Sequence, residues 1–504
     1  MTDLSSLKSG TDFRGTAVDG VSGQPLALTD EAVSAVGYAF CAWLSENVRT
    51  DEPKYKVAVG HDSRISADRI YKAFSAALTD CGVNIEYMDL ASTPAMFMIC
   101  ADGLADAGVS ITASHHPFNK NGLKFFTKNG GFESTDIDAL IELAENGARP
   151  VNDIKGTISQ CSYMNTYAEH LRDLICTQVN ADDFARPLRG TKIVVDAGNG
   201  VGGFYAYKVL QPLGADIDGS CFLEPDGMFP NHIPNPEDPV AMSYISSAVL
   251  KAGADLGIIF DTDVDRAGCV LSDGSEINRN SLIALASCIA LEGNEGGTIV
   301  TDSVTSDGLT DFIENTLHAH HRRFKRGYKN VINEAKRLNF EECVNAPLAI
   351  ETSGHAAMRD NYFLDDGAYL MTRIIIKAAS LAKEGKNLLS LISDLRSPLE
   401  AKEIRIPITD TDFRECGKRI LTELGKYAAS DPHLSIVPDS FEGVRINVPE
   451  AHAWFLLRMS VHDPILPLNI ESDDQGGVNT VLGIIKPFFE SCSGIDLSVF
   501  SKGE

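Results

Sequence analysis

No two of the eleven cysteines are spaced as a CxxC pair, and an odd number scattered singly fits reduced thiols better than a disulfide framework or a zinc ribbon. A cysteine-held metal is therefore not expected. No apolar run approaches the roughly 20 residues needed to span a bilayer, and the opening MTDLSSLKSGTDFRG lacks the basic start and apolar core of a secretory signal. These absences predict a cytoplasmic protein with no membrane contact. Positive charge is scarce as well: 44 Lys and Arg stand against 70 Asp and Glu, a net charge of -26, so the average surface repels polyanions. Nucleic acid is disfavoured as a partner, and any phosphate ligand requires a locally basic cleft built from the few Arg and Lys residues in Gly-rich loops.

What is present is an ordinary globular composition, 44% hydrophobic and 23% charged, over 504 residues, too long for one core and suited to three or four domains. Three segments share one plan: an apolar strand ends in a polar loop, a helix follows, and a second strand ends in a loop rich in reactive side chains. The first strands are YKVAVGHDSR, TKIVVDAGNG and GTIVTDSVTS, and their partners are AGVSITASHHP, ADLGIIFDTDVDR and APLAIETSGH. Stretches such as ADRIYKAFSAALTDCG and AMSYISSAVLKAGA carry apolar residues at helical spacing. Alternating strands and helices imply α/β layers. After about residue 395 the runs LEAKEIRIPI, EGVRINVP and AWFLLRMS, with less intervening helix, read as a smaller α+β domain. The expected division is 1–155, 156–276, 277–395 and 396–504, with no Pro/Ser-rich linker between the parts.

The loop FDTDVDR offers Asp261, Asp263 and Asp265 at alternate positions after the apolar strand LGIIF, hard oxygen ligands suited to Mg2+. An EF-hand is excluded, because its sixth position holds Arg266 in place of Gly and its twelfth holds Ser272 in place of Glu. An aspartyl nucleophile and a solvated acidic turn remain as competitors. Like charges crowded without a cation raise each other's pKa, which favours metal. The loop DAGNGVGG has the GxGxxG spacing of a dinucleotide site, but glycine also serves any tight strand-to-helix turn, and the structural reading is preferred. AIETSGH holds Glu351, Ser353 and His355, groups able to hydrogen-bond a polyhydroxy ligand, and WFLLRMSVHDP brings Arg458, Ser460 and His462, which could collect a phosphate or pair with a neighbouring acid. In TASHHP, Ser114 needs a base or metal before it can act as a nucleophile; His115 is adjacent and Lys124 is near in sequence, while an ordinary turn serine is the simpler reading.

Taken in order, SGTDFRG, TASHHP, NGLKF, DTDVDR, ETSGH and the late Arg-x-Ser resemble the motif set of the α-D-phosphohexomutase family, from about residue 9 to about residue 471. The resemblance implies a four-domain, heart-shaped enzyme with three related α/β domains of mixed sheets and a small α+β domain. It further implies an isomerase that interconverts hexose 1-phosphate and hexose 6-phosphate, of glucose or mannose, through a phosphoserine and a hexose 1,6-bisphosphate. Carried over by motif, Ser114 would hold the transferable phosphoryl group and touch the Mg2+ bound by Asp261, Asp263 and Asp265. Arg14 and Arg266 would neutralise that group, and His115 and Lys124 would move protons to and from sugar hydroxyls. Glu351 and Ser353, with His355 beside them, would grip the sugar, while Gly327, Tyr328 and Lys329 in RGYKNVI resemble the loop that senses its orientation. Arg458 and Ser460 would hold the phosphate that is not reacting.

The cofactors implied are Mg2+ and glucose 1,6-bisphosphate, or mannose 1,6-bisphosphate, as activator; the partners are small sugar phosphates, and the protein would be a monomer or a homodimer. One loop departs from the family pattern: after Arg458-Met459-Ser460, Val461 and His462 replace the usual small and hydroxyl donors, leaving His462 as a substitute phosphate donor. Phosphoglucosamine mutase, whose sugar loop more often has Gln where Thr352 stands, is the competing activity. A catalytically silent sugar-phosphate binder and a metal phosphatase with Asp261 as nucleophile compete less strongly.

Overall fold

The computed structural model describes residues 4–460 and 463–500. The chain forms two compact units, one of residues 1–282 with 353–390 and the other of residues 283–352 with 391–504. Three successive α/β domains are followed by a β-rich C-terminal one.

The first sheet of unit one is mixed. Lys56–His61 lies parallel to Asn84–Leu90 and to Ala107–Ile111, and Ala107–Ile111 is antiparallel to Lys120–Thr127. That reversal returns the chain through the loop TASHHPFN and sets Lys124 opposite Ser110. Lys120–Thr127 in turn pairs with Asp12–Thr16, placing Arg14 opposite Gly122. Helices Asp30–Asn47 and Ala67–Asp80 cover one face, and Gly37 permits their contact, since a Cβ there would stand 2.9 Å from Ala77 Cβ. The core between them is aromatic, built on Phe13, Phe40, Phe74 and Phe125. Helix Thr93–Ala101 is apolar on every side and lies on the same sheet, as expected of a helix without a solvent face.

The second sheet runs Glu276–Ile277, Ala267–Leu271, Leu256–Phe260, Ile193–Asp196. Leu256–Phe260 and Ala267–Leu271 are antiparallel with Phe260 opposite Ala267, so the acidic motif is the hairpin loop between two fully buried strands. The glycine-rich loop DAGNGVGG packs on that hairpin: a Cβ at Gly200 would come within 2.5 Å of Thr262 O, and Val201 N donates to the same carbonyl at 2.8 Å. Gly198, with φ +52, makes the tight turn that the structural reading expects, and Gly200 adds a close packing contact. Unit one also holds the hairpin Ala356–Met358 with Leu364–Asp365 and helix Gly367–Lys383.

In unit two, Thr298–Thr301 is parallel to both His320–Arg323 and Leu348–Ile350. The C-terminal sheet is wholly antiparallel, in the order Glu400–Pro407, Ile465–Ser472, Ala453–Leu457, Val444–Val448, Ser435–Ile436. It carries more helix than the sequence pattern suggests. Phe413–Ser430, capped by Asp412 accepting from Glu415 N, buries Cys416, Ile420 and Leu424 at helical spacing, and Gly477–Ser491 buries Val478, Val481 and Ile485. Among the described residues no helix is long and apolar enough to cross a membrane, and all eleven cysteines are free.

One side chain fixes the Ser114 loop to the sheet. Arg64, fully buried after the strand Lys56–His61, donates from Nε to Asp62 (3.1 Å), from Nη1 to the carbonyls of Pro117 (2.6 Å) and Lys120 (2.9 Å), and from Nη2 to those of Ser114 (2.5 Å) and His116 (2.6 Å). Asp62 also accepts from Thr112 Oγ1 at 2.7 Å. A planar fork of donors matches a ring of carbonyls, which no lysine can do. Arg64→Ala leaves the buried Asp62 carboxyl without its guanidinium and those carbonyls bare, and is expected to destabilise unit one by about 3–5 kcal/mol in urea unfolding followed by circular dichroism; a midpoint equal to wild type would contradict the clamp.

Candidate active site

Ser114 is buried at the end of the clamped loop, with φ +51, the left-handed region that a non-glycine residue adopts only when its surroundings enforce it. Its Oγ donates to Asp261 Oδ2 at 2.8 Å and accepts from Arg266 Nη2 at 3.1 Å. Asp261, Asp263 and Asp265 are each at most 1% exposed, and ligand oxygens of the three lie within 4.8 Å of one another. Buried Val264 between them also has positive φ, +67, so the hairpin is bent to turn alternate carboxylates inward. Lys124 Nζ donates to Asp263 Oδ2 (3.0 Å) and Asp265 Oδ2 (2.6 Å), and Thr93 Oγ1 donates to Asp263 Oδ2 (2.6 Å).

Burial, then Asp265 and Asp263, push the Asp261 carboxyl well above its ordinary range. At Asp265 burial acts in the same sense but is outweighed by Lys124, His355 and Arg266, which hold that carboxyl below its ordinary range. Asp263 Oδ1 and Asp265 Oδ1 are buried without a hydrogen-bond partner. Orphaned buried carboxylate oxygens converging from one loop are what a hard divalent cation requires, so this donor set fits a metal.

The remaining unit-one candidates surround this group. His115 Nδ1 lies 2.5 Å from Arg266 Nη2 and 3.4 Å from Ser114 Oγ, and burial with the Arg266 charge drives its pKa far below the ordinary imidazole range, so the ring is neutral and offers Nδ1 to the guanidinium. His355 Nδ1 bonds Asp365 Oδ2 at 2.5 Å, stands 3.8 Å from Asp265 Oδ1, and its backbone bridges to Arg266; Ser353 is buried in the same loop. Arg14, on the strand beside Lys124, pairs with Asp12 at 2.8 Å.

The other candidates form a cluster in unit two. Gly327, with φ +112, donates its N–H to Glu351 Oε1 at 2.6 Å, fixing the sugar-loop glutamate against the RGYK loop, and Tyr328 and Lys329 open helix Tyr328–Phe340. Thr352 Oγ1 donates to buried Asp302 at 2.7 Å. Arg458, 9% exposed after strand Ala453–Leu457, has Nη1 3.7 Å from Glu442 Oε1 and an Nε without a partner; burial pushes its pKa down and Glu442 opposes that. Ser460 Oγ accepts from Asp463 N at 3.2 Å. His462 lies outside the described residues.

Sequence reasoning missed Arg64, Thr93 and Glu442. Glu442 Oε2 accepts from Arg326 N at 3.1 Å and from Ser303 Oγ, so one carboxylate joins the RGYK loop to Arg458. Its signal was the following Gly443, with φ +62 and backbone pressed to Leu457 O. Arg64 stood in plain view in HDSR, at the same strand end as DAGNG in the next repeat.

Comparison with known proteins supplies the family. Residues 12–148, 165–274 and 278–398 match, in order, the descriptions "Phosphoglucomutase/phosphomannomutase, alpha/beta/alpha domain" I, II and III. A phosphomannomutase/phosphoglucomutase of Pseudomonas syringae pv. tomato is 30% identical over 446 residues, 87% of this chain and 88% of that protein. A phosphoglucomutase of Neisseria meningitidis serogroup A is 26% identical over 480 residues, 95% of this chain and 96% of that one. The crystal structure of a phosphoglucomutase/phosphomannomutase family protein from Burkholderia thailandensis shares the fold, with a TM-score of 0.80 over 97% of this chain and 98% of that one at 23% identity. Buried serine, acidic hairpin and matched domains belong together, and the chain is a member of the phosphoglucomutase/phosphomannomutase family.

Proposed function

We propose that this protein is a phosphohexomutase that interconverts the 1- and 6-phosphates of glucose or mannose through a phosphoserine at Ser114. The observation that carries this reading is the buried contact of Ser114 Oγ with Asp261 and Arg266 beside two orphaned carboxylate oxygens. Relatives named phosphoglucomutase and phosphomannomutase support the choice of sugars. The four functional loops are assigned one to each of four domains, bounded near residues 155, 276 and 395.

In the forward half-reaction the bond between Ser114 Oγ and phosphorus breaks as a bond forms from phosphorus to the sugar hydroxyl oxygen. The hydroxyl proton leaves to a base and an acid returns a proton to Ser114 Oγ, which ends as an alcohol; the second half-reaction is the reverse at the other end of the bisphosphate. Catalysis of such a transfer rests on alignment and on neutralising the equatorial oxygens. Arg266, already 3.1 Å from Oγ, supplies a fixed positive charge, and Arg14 a second. Lys124, held by Asp263 and Asp265, and the neutral His115 are the assigned proton carriers. We assign Mg2+ to Asp261, Asp263, Asp265 and the Ser114 phosphate; when bound it would neutralise charge on the transferring group. Glu351, Ser353 and His355, with Gly327, Tyr328 and Lys329, are assigned to the sugar, and Arg458 and Ser460, with His462, to its idle phosphate. Hexose 1,6-bisphosphate is the activator, since it phosphorylates Ser114.

With Mg2+, glucose 1-phosphate and a trace of glucose 1,6-bisphosphate, formation of glucose 6-phosphate is expected, and Ser114→Ala should lower kcat by about 1,000-fold or more. Undiminished turnover in that variant would sink the assignment. Mg2+ at about 100 times its dissociation constant should stabilise the fold by about 2.7 kcal/mol, read as a rise in Tm over an EDTA control. Asp263→Asn should lose most of that rise, and an equal rise in the variant would count against the triad.

A further inference from the structure

Unit two contains a cavity of about 210 Å3 between strand His320–Arg323, the loop 437–441 and Arg445 at the start of strand Val444–Val448. None of the described candidate active-site residues lines it. Its walls are unusual for so acidic a chain, since Arg322, Arg323 and Arg445 all face it. Arg445 is 3% exposed, sits with its guanidinium carbon 3.5 Å from the Trp454 ring centre, and has an Nε without a hydrogen-bond partner.

Counter-charge is short. Arg323 and Arg445 share one acid, Asp307, at 2.9 and 2.8 Å, and Asp307 is itself half exposed. Arg322 pairs with Glu334, which it shares with Arg337, and Arg337 is also bonded to Glu342. Burial raises the nearby Glu471 to about 7, so it contributes only part of a charge near neutrality. His321 bonds Thr301 and Thr310 and is held neutral by burial and by Arg323 and Arg445. Burial, and after it the Arg323 charge, pushes Arg445 down to about 9, against the pull of Asp307 and Glu471. The exposed Asp439 at the rim is the one acid that lines the cavity among the described residues.

We propose that this cavity is a second phosphate-binding site, taking inorganic phosphate or a small phosphate monoester between Arg323 and Arg445. Guanidinium forks match phosphate oxygens, and a dianion supplies the charge that Asp307 alone lacks. The volume falls below the roughly 300–1,000 Å3 of sites for drug-sized ligands, which limits the guest to a small anion.

The test is calorimetric titration of the full-length protein with inorganic phosphate, and separately with glycerol 2-phosphate. Asp439 has φ +58, which asparagine tolerates, so Asp439→Asn keeps the fold while removing a competing acid. It should tighten phosphate binding about threefold, and Ser440→Asp on the same exposed loop should weaken it about threefold. Arg445→Met should remove this class of site. Phosphate isotherms identical in wild type, Asp439→Asn and Ser440→Asp would overturn the proposal, whatever phosphate binds elsewhere and whether or not the chain is a mutase. Displacement of phosphate by glycerol 2-phosphate identifies a site for esters, and its failure to displace identifies a site for the free ion; both support the proposal.

Discussion

Three carboxylates buried within 4.8 Å of one another repel, and much of unit one is arranged to hold them there. Like charges about 4 Å apart cost about 4 kcal/mol at an effective dielectric near 20, more than a strained turn could absorb unaided. The hairpin that carries Asp261, Asp263 and Asp265 is closed by two fully buried strands, and DAGNGVGG is packed on it through Gly200. Lys124 and Thr93 reach the carboxylates from elsewhere in the chain and, with Arg266 of the same loop, offset part of the repulsion. Two oxygens that they leave without a hydrogen bond, Asp263 Oδ1 and Asp265 Oδ1, are the ones a cation would engage.

The serine is held by an independent device. Arg64 gathers the carbonyls of residues 114, 116, 117 and 120 around one guanidinium, and Ser114 keeps a left-handed backbone within that ring. Loop geometry is thereby set by the first sheet and carboxylate geometry by the second, and the contact of Ser114 Oγ with Asp261 joins the two. Unit two has its own joint at Glu442, which links the loop after His320–Arg323 to Arg458.

The strand ends and their loops were legible because each combines an apolar run with a short polar motif: LGIIF before DTDVDR, AGVSI before TASHHP. The turn in DAGNGVGG was legible from glycine's conformational freedom, whereas its packing on the acidic hairpin was not. The partners that hold these loops were not, since Thr93 is 170 residues from Asp263 and Arg64 is 50 from Ser114, separations over which no local pattern records contact. The C-terminal helices were under-read for a different reason: the strands beside them carry the stronger apolar signal, while Phe413–Ser430 shows polar residues on most of its surface. Membership of the family required the motifs jointly, because a serine turn or an acidic loop alone has several structural explanations.

Under the proposed mechanism Ser114, and not Asp261, carries the phosphoryl group between the two ends of the sugar. Brief incubation with glucose 1,6-bisphosphate labelled with radioactive phosphorus, followed by proteolysis and peptide mapping, tests it directly. Label is expected on the peptide containing Ser114, discharged to hexose bisphosphate on addition of unlabelled glucose 1-phosphate. Label on the peptide containing Asp261, or its loss as inorganic phosphate, would contradict it.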